Sequence, residues 1–138
     1  MFGCALSGCG SAAISITTPT PDAVIARLCA SVIGALPSTV DDAQLRRRDQ
    51  LVAAWGDPAI VLRCGVPRPA ALLPTSRCDG VNGVGWFTET LGDGYRFTTI
   101  GRAAYVEVTV PAHYSPAANA LVDLAPAVGR LADVTPCQ

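Results

Sequence analysis

The chain has 138 residues, half of them hydrophobic, and its 11 acidic and 10 basic residues leave a formal net charge of −1. That length fits one domain with a single sizeable core. The nearly neutral charge supplies no field for nucleic acid, and no apolar run approaches the roughly 18 residues that a membrane-spanning helix needs.

The N-terminus contains a short match to the acylation site of bacterial lipoproteins. Residues 6–9 read LSGC, in which an apolar residue and two small residues precede Cys9, the residue that would carry the lipid. A signal peptide has a basic start and an apolar stretch of about 7–15 residues, whereas only eight residues without positive charge precede Cys9. Either the leader is truncated or the match is accidental. We assign residues 1–21 to a leader remnant and a flexible tether, because residues 10–21 are uncharged and rich in Ser, Thr, Ala and Pro.

A helix is predicted at the start of the folded domain, which we assign to residues 22–138. Thr20-Pro21-Asp22 offers a capping hydroxyl, a proline suited to the first turn and an acid near the positive end of the helix dipole. Leu36-Pro37 ends the helix. Residues 41–54 are polar and include an arginine triplet, which predicts a short surface helix or an irregular segment.

Four strands are predicted after a turn at residues 55–58. The first covers residues 59–64, and a loop that contains several prolines follows it. Residues 81–90, 95–100 and 104–110 then alternate between apolar and polar side chains with short connections, which is typical of a three-strand antiparallel meander.

A second amphipathic helix is predicted from the cap-and-proline pair Ser115-Pro116 onwards, with a kink or break at Pro126. The elements together predict a two-layer α+β domain. In this predicted fold, an antiparallel sheet of about four strands, one strand plus the meander, packs against the N-terminal and C-terminal helices.

Four cysteines lie within the predicted domain: Cys29, Cys64, Cys78 and Cys137. An even number favours two disulfides and therefore an extracytoplasmic location. Their spacing contains no C-x-x-C pair, so we expect neither a zinc site nor another metal or cofactor. Four cysteines allow three pairings, and the spacing alone does not choose among them.

The sequence lacks the motifs of common enzymes, including the P-loop, the dinucleotide fingerprint, the zincin helix and the nucleophile elbow. The only histidine, His113, lies on a predicted loop near Ser115, which we interpret as a helix cap rather than a nucleophile. We therefore expect no enzyme activity and no catalytic residues.

Arginines in the predicted sheet are the candidate binding residues. Arg63, Arg96 and Arg102 lie within strands or at a strand junction, where their guanidinium groups could converge to hold a phosphate or a carboxylate. The aromatic residues Trp55, Trp86 and Phe87 are interpreted as core or rim residues, although one of them, such as Trp86, could line a groove. The interpretation that we favour is that these arginines pair locally with Glu89 and Glu107 or face solvent.

Several blocks of sequence resemble the domain of unknown function 3515 family. Residues 55–69 read WGDPAIVLRCGVPRP, residues 81–84 read VNGV before Trp86, and residues 95–99 read YRFTT before Gly101-Arg102. Together with the strand that ends at Pro111, these blocks place the resemblance over about residues 22 to 131.

The family is actinobacterial and secreted or membrane-anchored, in keeping with a chain whose basic residues are all arginine. The resemblance implies an extracytoplasmic domain on an N-terminal anchor and no known enzyme activity. It also implies a Cys29–Cys64 disulfide, with Cys78–Cys137 as an additional pair.

These observations predict an extracytoplasmic cell-envelope domain that acts as a non-enzymatic binding or structural module. Its expected partners are the membrane, through lipid on Cys9, and an envelope protein or component, but not nucleic acid. The alternatives are a binder of small anions that uses the sheet arginines Arg63, Arg96 and Arg102, and an envelope hydrolase.

Overall fold

A computed structural model describes residues 15–135 and 137 of the chain. The two helices are α1 (Ala23–Gly34) and α2 (Ala118–Val128). The strands are β1 (Thr39–Val40), β2 (Ala43–Arg48), β3 (Val52–Trp55), β4 (Ile60–Cys64), β5 (Asp79–Val81), β6 (Val84–Leu91), β7 (Gly94–Thr99) and β8 (Val106–Pro111). Over the described residues, the strands form one antiparallel sheet in the order β1-β2-β3-β4-β8-β7-β6-β5.

The predicted sheet of about four strands, and with it the α+β class, is wrong. The four predicted strands correspond to β4, β6, β7 and β8, but the sheet has eight strands, and the fold is predominantly β with two short helices. The strands β1 and β5 contain only two and three residues, too few to produce a recognisable period.

Residues 41–54 also differ from the prediction, since they form β2 and β3 rather than a surface helix or an irregular segment. The β2 sequence AQLRRR consists of residues that locally favour a helix. All four residues of β3 are buried, so no alternation marks it as a strand. Antiparallel pairing of β3 with β4 on one side and β2 on the other overrides these local preferences.

Alternate residues of the central strands point to opposite faces of the sheet. The core face carries Leu62, Val108 and Phe97, which lie across from one another on β4, β8 and β7 and are buried. Both helices contribute to the same hydrophobic cluster, for example through Val32 and Leu124. The opposite face, called the open face below, carries the intervening residues of the same strands.

Helix α1 is fixed to the core face by a disulfide. The side chain of Asp22, rather than that of Thr20, caps the helix by accepting a hydrogen bond of 2.9 Å from the backbone N–H of Ile25. Cys29 on α1 is bonded to Cys64 at the end of β4, and both residues are fully buried. The Cys29–Cys64 pairing implied by the family resemblance is thus confirmed.

Helix α2 begins later than predicted and is not broken. Its N-cap residue Ala117 makes no side-chain hydrogen bond, so the Ser115-Pro116 pair does not cap it. Pro126 lies inside the continuous helix, two residues before its end, and it removes only the one hydrogen bond that its N–H would donate to the carbonyl of Val122. Among the described residues, neither helix has the length and apolar character needed to cross a bilayer.

A second disulfide joins Cys78, just before β5, to Cys137. Its sulfur atoms lie over Gly85 of β6, where an added Cβ would overlap both of them. This close approach explains a glycine near the start of a strand. Two disulfides indicate an oxidising, extracytoplasmic environment.

The described residues that precede α1 contact the sheet. The carbonyl of Thr17 accepts a hydrogen bond from Arg63, and Pro19 is buried. The ring of Pro21 packs against Gly65. The domain boundary after residue 21 stays a prediction, and Cys9 with its surrounding LSGC sequence lies outside the described residues.

Candidate functional site

Two rows of charged side chains cross the open face of the sheet. The register of β4, β8 and β7 places Arg63 beside Glu107, and Glu107 beside Thr98. In the neighbouring row, the register of β6 and β7 places Glu89 beside Arg96. Cross-strand neighbours at this spacing interact directly, so the sheet itself pairs two arginines with two glutamates.

The Arg63–Glu107 pair is bidentate and largely shielded. Nε of Arg63 donates to Oε1 of Glu107 at 2.9 Å, and Nη2 donates to Oε2 at 3.0 Å. The remaining Nη1 donates to the carbonyl of Thr17 at 3.0 Å. The side chains are 25% and 14% exposed, so removing either partner would leave a poorly solvated charge.

The Arg96–Glu89 pair is more open. Nε and Nη2 of Arg96 donate to the two carboxylate oxygens of Glu89 at 3.1 and 3.4 Å, and the side chain of Arg96 is 39% exposed. The hydrogen bond to Glu89 raises the pKa of Arg96 against the opposing effect of burial, and the negative charges of Glu89 and Glu107 add to the rise. Arg96 therefore stays charged and retains accessible N–H groups.

A loop over residues 65–78 connects β4 to β5 and forms one wall of a cleft above these rows. The cleft has a volume of about 440 Å³. Its lining consists of the two ion pairs, Thr98 and the apolar and basic residues 66–71 of the loop. We call it the arginine–glutamate cleft.

Arg68 contributes a third guanidinium group to this cleft. Its Nη2 donates to the carbonyl of Leu72 at 2.7 Å, and its Nη1 makes a long contact of 3.5 Å to the hydroxyl of Tyr105. No carboxylate among the described residues pairs with it. The cleft therefore carries one net positive charge. The sequence reasoning overlooked Arg68 because a position between two prolines indicated only a loop.

Arg102 lies apart from the other arginines. Its Nη1 donates to the carbonyl of Leu131 at 2.8 Å, and its Nη2 donates to the carbonyl of Gly83 at 2.7 Å. Its backbone pairs with that of Asp133 in an isolated bridge. These contacts join the segment after α2 to the β5–β6 turn, so the structure brings Arg63 and Arg96 together but not Arg102.

Trp86 lies on the core face rather than in the cleft. It sits across from Thr99 on β7 and meets the ring of Phe97 edge to face at 6.4 Å. Its side chain is fully buried. Its Nε1 lacks a hydrogen-bond partner among the described residues. The position is that of a core residue, and it offers no surface to a ligand.

We expect Arg63→Ala and Arg102→Ala each to lower the free energy of unfolding by roughly 1–3 kcal/mol. Arg63→Ala leaves the shielded Glu107 without its partner, and Arg102→Ala leaves two backbone carbonyls without a donor. Urea denaturation measures both effects. Arg77→Ala is the matched control, since Arg77 is 88% exposed beside Asp79 and should change stability by less than about 0.5 kcal/mol. Equal stability of all three variants and the wild type would contradict a structural role.

Side chains that could bind a metal or act as a catalytic base do not come together in one site in the described part of the chain. Among the described residues, no three His, Cys, Asp or Glu side chains cluster as metal ligands would. His113 is exposed, and its ring packs edge to face against Tyr114 at 4.9 Å. It does not line the arginine–glutamate cleft.

Comparison with known proteins places the chain in a family. No curated protein and no solved structure matches it. The profile of a family described as "Protein of unknown function (DUF3515)" matches residues 8–136, which is nearly the whole chain. The chain therefore belongs to the DUF3515 family.

Proposed function

We propose that this protein is a non-enzymatic binding module of the cell envelope, held at the outer face of the membrane by lipid on Cys9, whose partner docks in the arginine–glutamate cleft. The observation that supports it is the pairing pattern of the open face, where Arg63–Glu107 and Arg96–Glu89 lie side by side under the loop 65–78. The two disulfides support the extracytoplasmic setting.

The cleft suits a partner segment that carries charged groups of both signs together with hydrogen-bond donors and acceptors. Arg96 and Arg68 keep N–H groups that no carboxylate fully occupies, and the carboxylate oxygens of Glu89 and Glu107 have lone pairs beyond those used by the arginines. Apolar loop residues such as Pro67 and Ala70 add a wall against which a side chain can pack. A complementary segment of an envelope protein provides all of these contacts.

A catalytic role is not part of the proposal. Both carboxylates of the cleft accept two hydrogen bonds each from arginine, which supports ion pairing as their role. The hydrolase alternative would need a nucleophile beside a base, and the residues that line the cleft provide no Ser, Cys or His.

Site-specific photo-crosslinking in cells tests the docking site. A photoreactive residue at position 70, which is exposed in the cleft, should give one discrete protein adduct. The same residue at position 122, which is 42% exposed on α2, is on the helix side of the sheet and should not give that adduct.

A charge swap tests whether the ion pairs select the partner. Glu89→Arg combined with Arg96→Glu keeps a cross-strand pair but reverses the charges that the partner meets. We expect a melting temperature near that of the wild type and loss of the position-70 adduct. An unchanged adduct in the swapped protein, or the same adduct from position 122, would refute docking in the cleft.

A small anion is a second candidate, favoured by the charge of Arg68 that no described carboxylate balances. Isothermal titration with phosphate and with acetate should then detect binding to the wild type and none to Arg68→Ala. Absence of heat with the wild type would leave the protein partner as the proposal.

The lipid anchor is tested by metabolic labelling with a fatty-acid probe, on the gene with its native leader. The wild type should be labelled and partition with membranes, whereas Cys9→Ala should be unlabelled and released. Equal labelling of the two proteins would refute the anchor at this cysteine.

A further inference from the structure

We propose that the Cys78–Cys137 disulfide is a redox-sensitive latch on the loop that forms one wall of the arginine–glutamate cleft. The functional consequence rests on the proposed role of that cleft. The latch itself is inferred from the different accessibility of the two disulfides and from the segments that each disulfide connects.

The loop 65–78 is tied by a disulfide at each end, and the two disulfides differ in accessibility. Cys64 immediately precedes the loop and is bonded to Cys29, with both residues fully buried. Cys78 ends the loop and is half-buried, and it is bonded to Cys137, which is exposed. A thiolate must reach a sulfur atom to open a disulfide. A reductant should therefore open the second bond while the first remains closed.

The second disulfide joins one edge of the sheet to the segment that follows α2, beside a hydrogen bond from Thr88 to Asp79 and the packing of Val81 against the core. Cys78 directly precedes β5, a three-residue strand at the edge of the sheet that pairs only with β6. On the other side, the backbone N–H groups of Val134 and Thr135 donate to the carbonyl of Gly101 at 2.7 and 3.1 Å. The disulfide therefore connects a short edge strand to an anchored tail, and its loss should favour local opening of the edge.

Arg68 links this end of the loop to the cleft. It lines the arginine–glutamate cleft, and it also lines a groove of about 420 Å³ whose other wall contains Leu73, Cys78 and Cys137. Its hydrogen bond to the carbonyl of Leu72 closes a turn within the loop. We therefore expect movement released at Cys78 to reach the wall of the cleft through Arg68, the residue that lines both.

The chemical step is thiol–disulfide exchange with an external dithiol. A thiolate of the dithiol attacks Sγ of Cys137, forms a mixed disulfide and releases Cys78 as a thiolate, which takes up a proton. The second thiol of the reductant then attacks the mixed disulfide and releases Cys137. The reductant leaves as a disulfide, and two electrons and two protons have reached the protein.

Graded reduction of the intact protein with dithiothreitol, followed by alkylation and peptide mapping, tests the accessibility. Cys78 and Cys137 should be alkylated at reductant concentrations that leave Cys29 and Cys64 bonded. Hydrogen exchange on the same samples should speed up by about tenfold or more in residues 65–81 and remain unchanged in β4 and β8. Cys78→Ser combined with Cys137→Ser should reproduce the reduced pattern without reductant.

Two results would overturn the latch. One is simultaneous opening of both disulfides, and the other is unchanged exchange in residues 65–81 after the exposed bond has opened. Neither the order of disulfide opening nor the hydrogen exchange requires a partner, so both measurements test the latch independently of docking in the cleft. The position-70 photo-adduct, compared between oxidised and reduced protein, then measures the effect on binding, and its absence under oxidising conditions counts against the cleft rather than the latch.

Discussion

Replacing Cys29 and Cys64 together by alanine is expected to lower the free energy of unfolding by about 4 kcal/mol. The disulfide spans 35 residues of sequence, and the chain-entropy estimate for a closed loop of that length gives about this value. The bond also joins α1 to β4 inside the core, where both sulfur atoms are removed from solvent. Guanidinium denaturation of the double variant, followed by far-UV circular dichroism, measures the loss.

The Cys78→Ala and Cys137→Ala double variant is the matched control. Its loop is longer, with a sequence separation of 59, so the entropy estimate alone predicts at least as large a loss. We expect a loss of only about 2 kcal/mol, because opening this bond frees an edge strand in the native state and that gain in freedom offsets part of the loss. A larger loss for this pair than for Cys29 and Cys64 would contradict the distinction between a core bond and a surface latch.

Trp86→Ala is expected to cost about 3–5 kcal/mol, the range for truncating a large aromatic residue in a packed core. The side chain is fully buried and packs edge to face against Phe97. Thermal and urea unfolding measure the loss. Val122→Ala provides a surface comparison, since Val122 is 42% exposed and should change stability by less than about 0.5 kcal/mol.

Trp86→Phe separates a core role from a binding role. It keeps an aromatic ring and removes the Nε1 donor that lacks a partner among the described residues, so most of the stability should be retained. The position-70 adduct should also persist, because Trp86 faces away from the cleft. Loss of the adduct with an unchanged melting temperature would show that Trp86 is a binding residue after all.

Strands with regular alternation were predictable from the sequence, and those formed by tertiary pairing were not. In β8, the valines 106, 108 and 110 alternate with polar residues, so its strand and its faces follow from the period. The uniformly buried β3 and the arginine-rich β2 carry no such period, and only their neighbours in the sheet specify them. The missing strands account for the wrong fold class.

The residues of the candidate site that lie on regular strands were predictable from the sequence, whereas the residue that lies on the loop was not. Arg63 and Arg96 could be placed on one face because both lie at regular positions of alternating strands, and Glu89 and Glu107 were recognised as potential partners. The third arginine of the cleft, Arg68, depends on how an irregular loop folds back over the sheet, which no periodic pattern encodes. Trp86 could not be assigned to the core alone, because an aromatic residue in a strand is compatible both with a core and with a groove.

The most direct test of the account is the reactivity of single cysteines in intact cells towards a membrane-impermeant maleimide. Ala70→Cys reports on the cleft and Val122→Cys on the helix side, with peptide mapping to verify that both native disulfides remain closed. We predict that both positions react from outside the cell and that position 70 reacts several-fold more slowly in cells than in the purified protein, whereas position 122 reacts equally in both. Reaction only after lysis, or equal reactivity of position 70 in cells and in the purified protein, would contradict an extracytoplasmic module whose cleft is occupied by a partner.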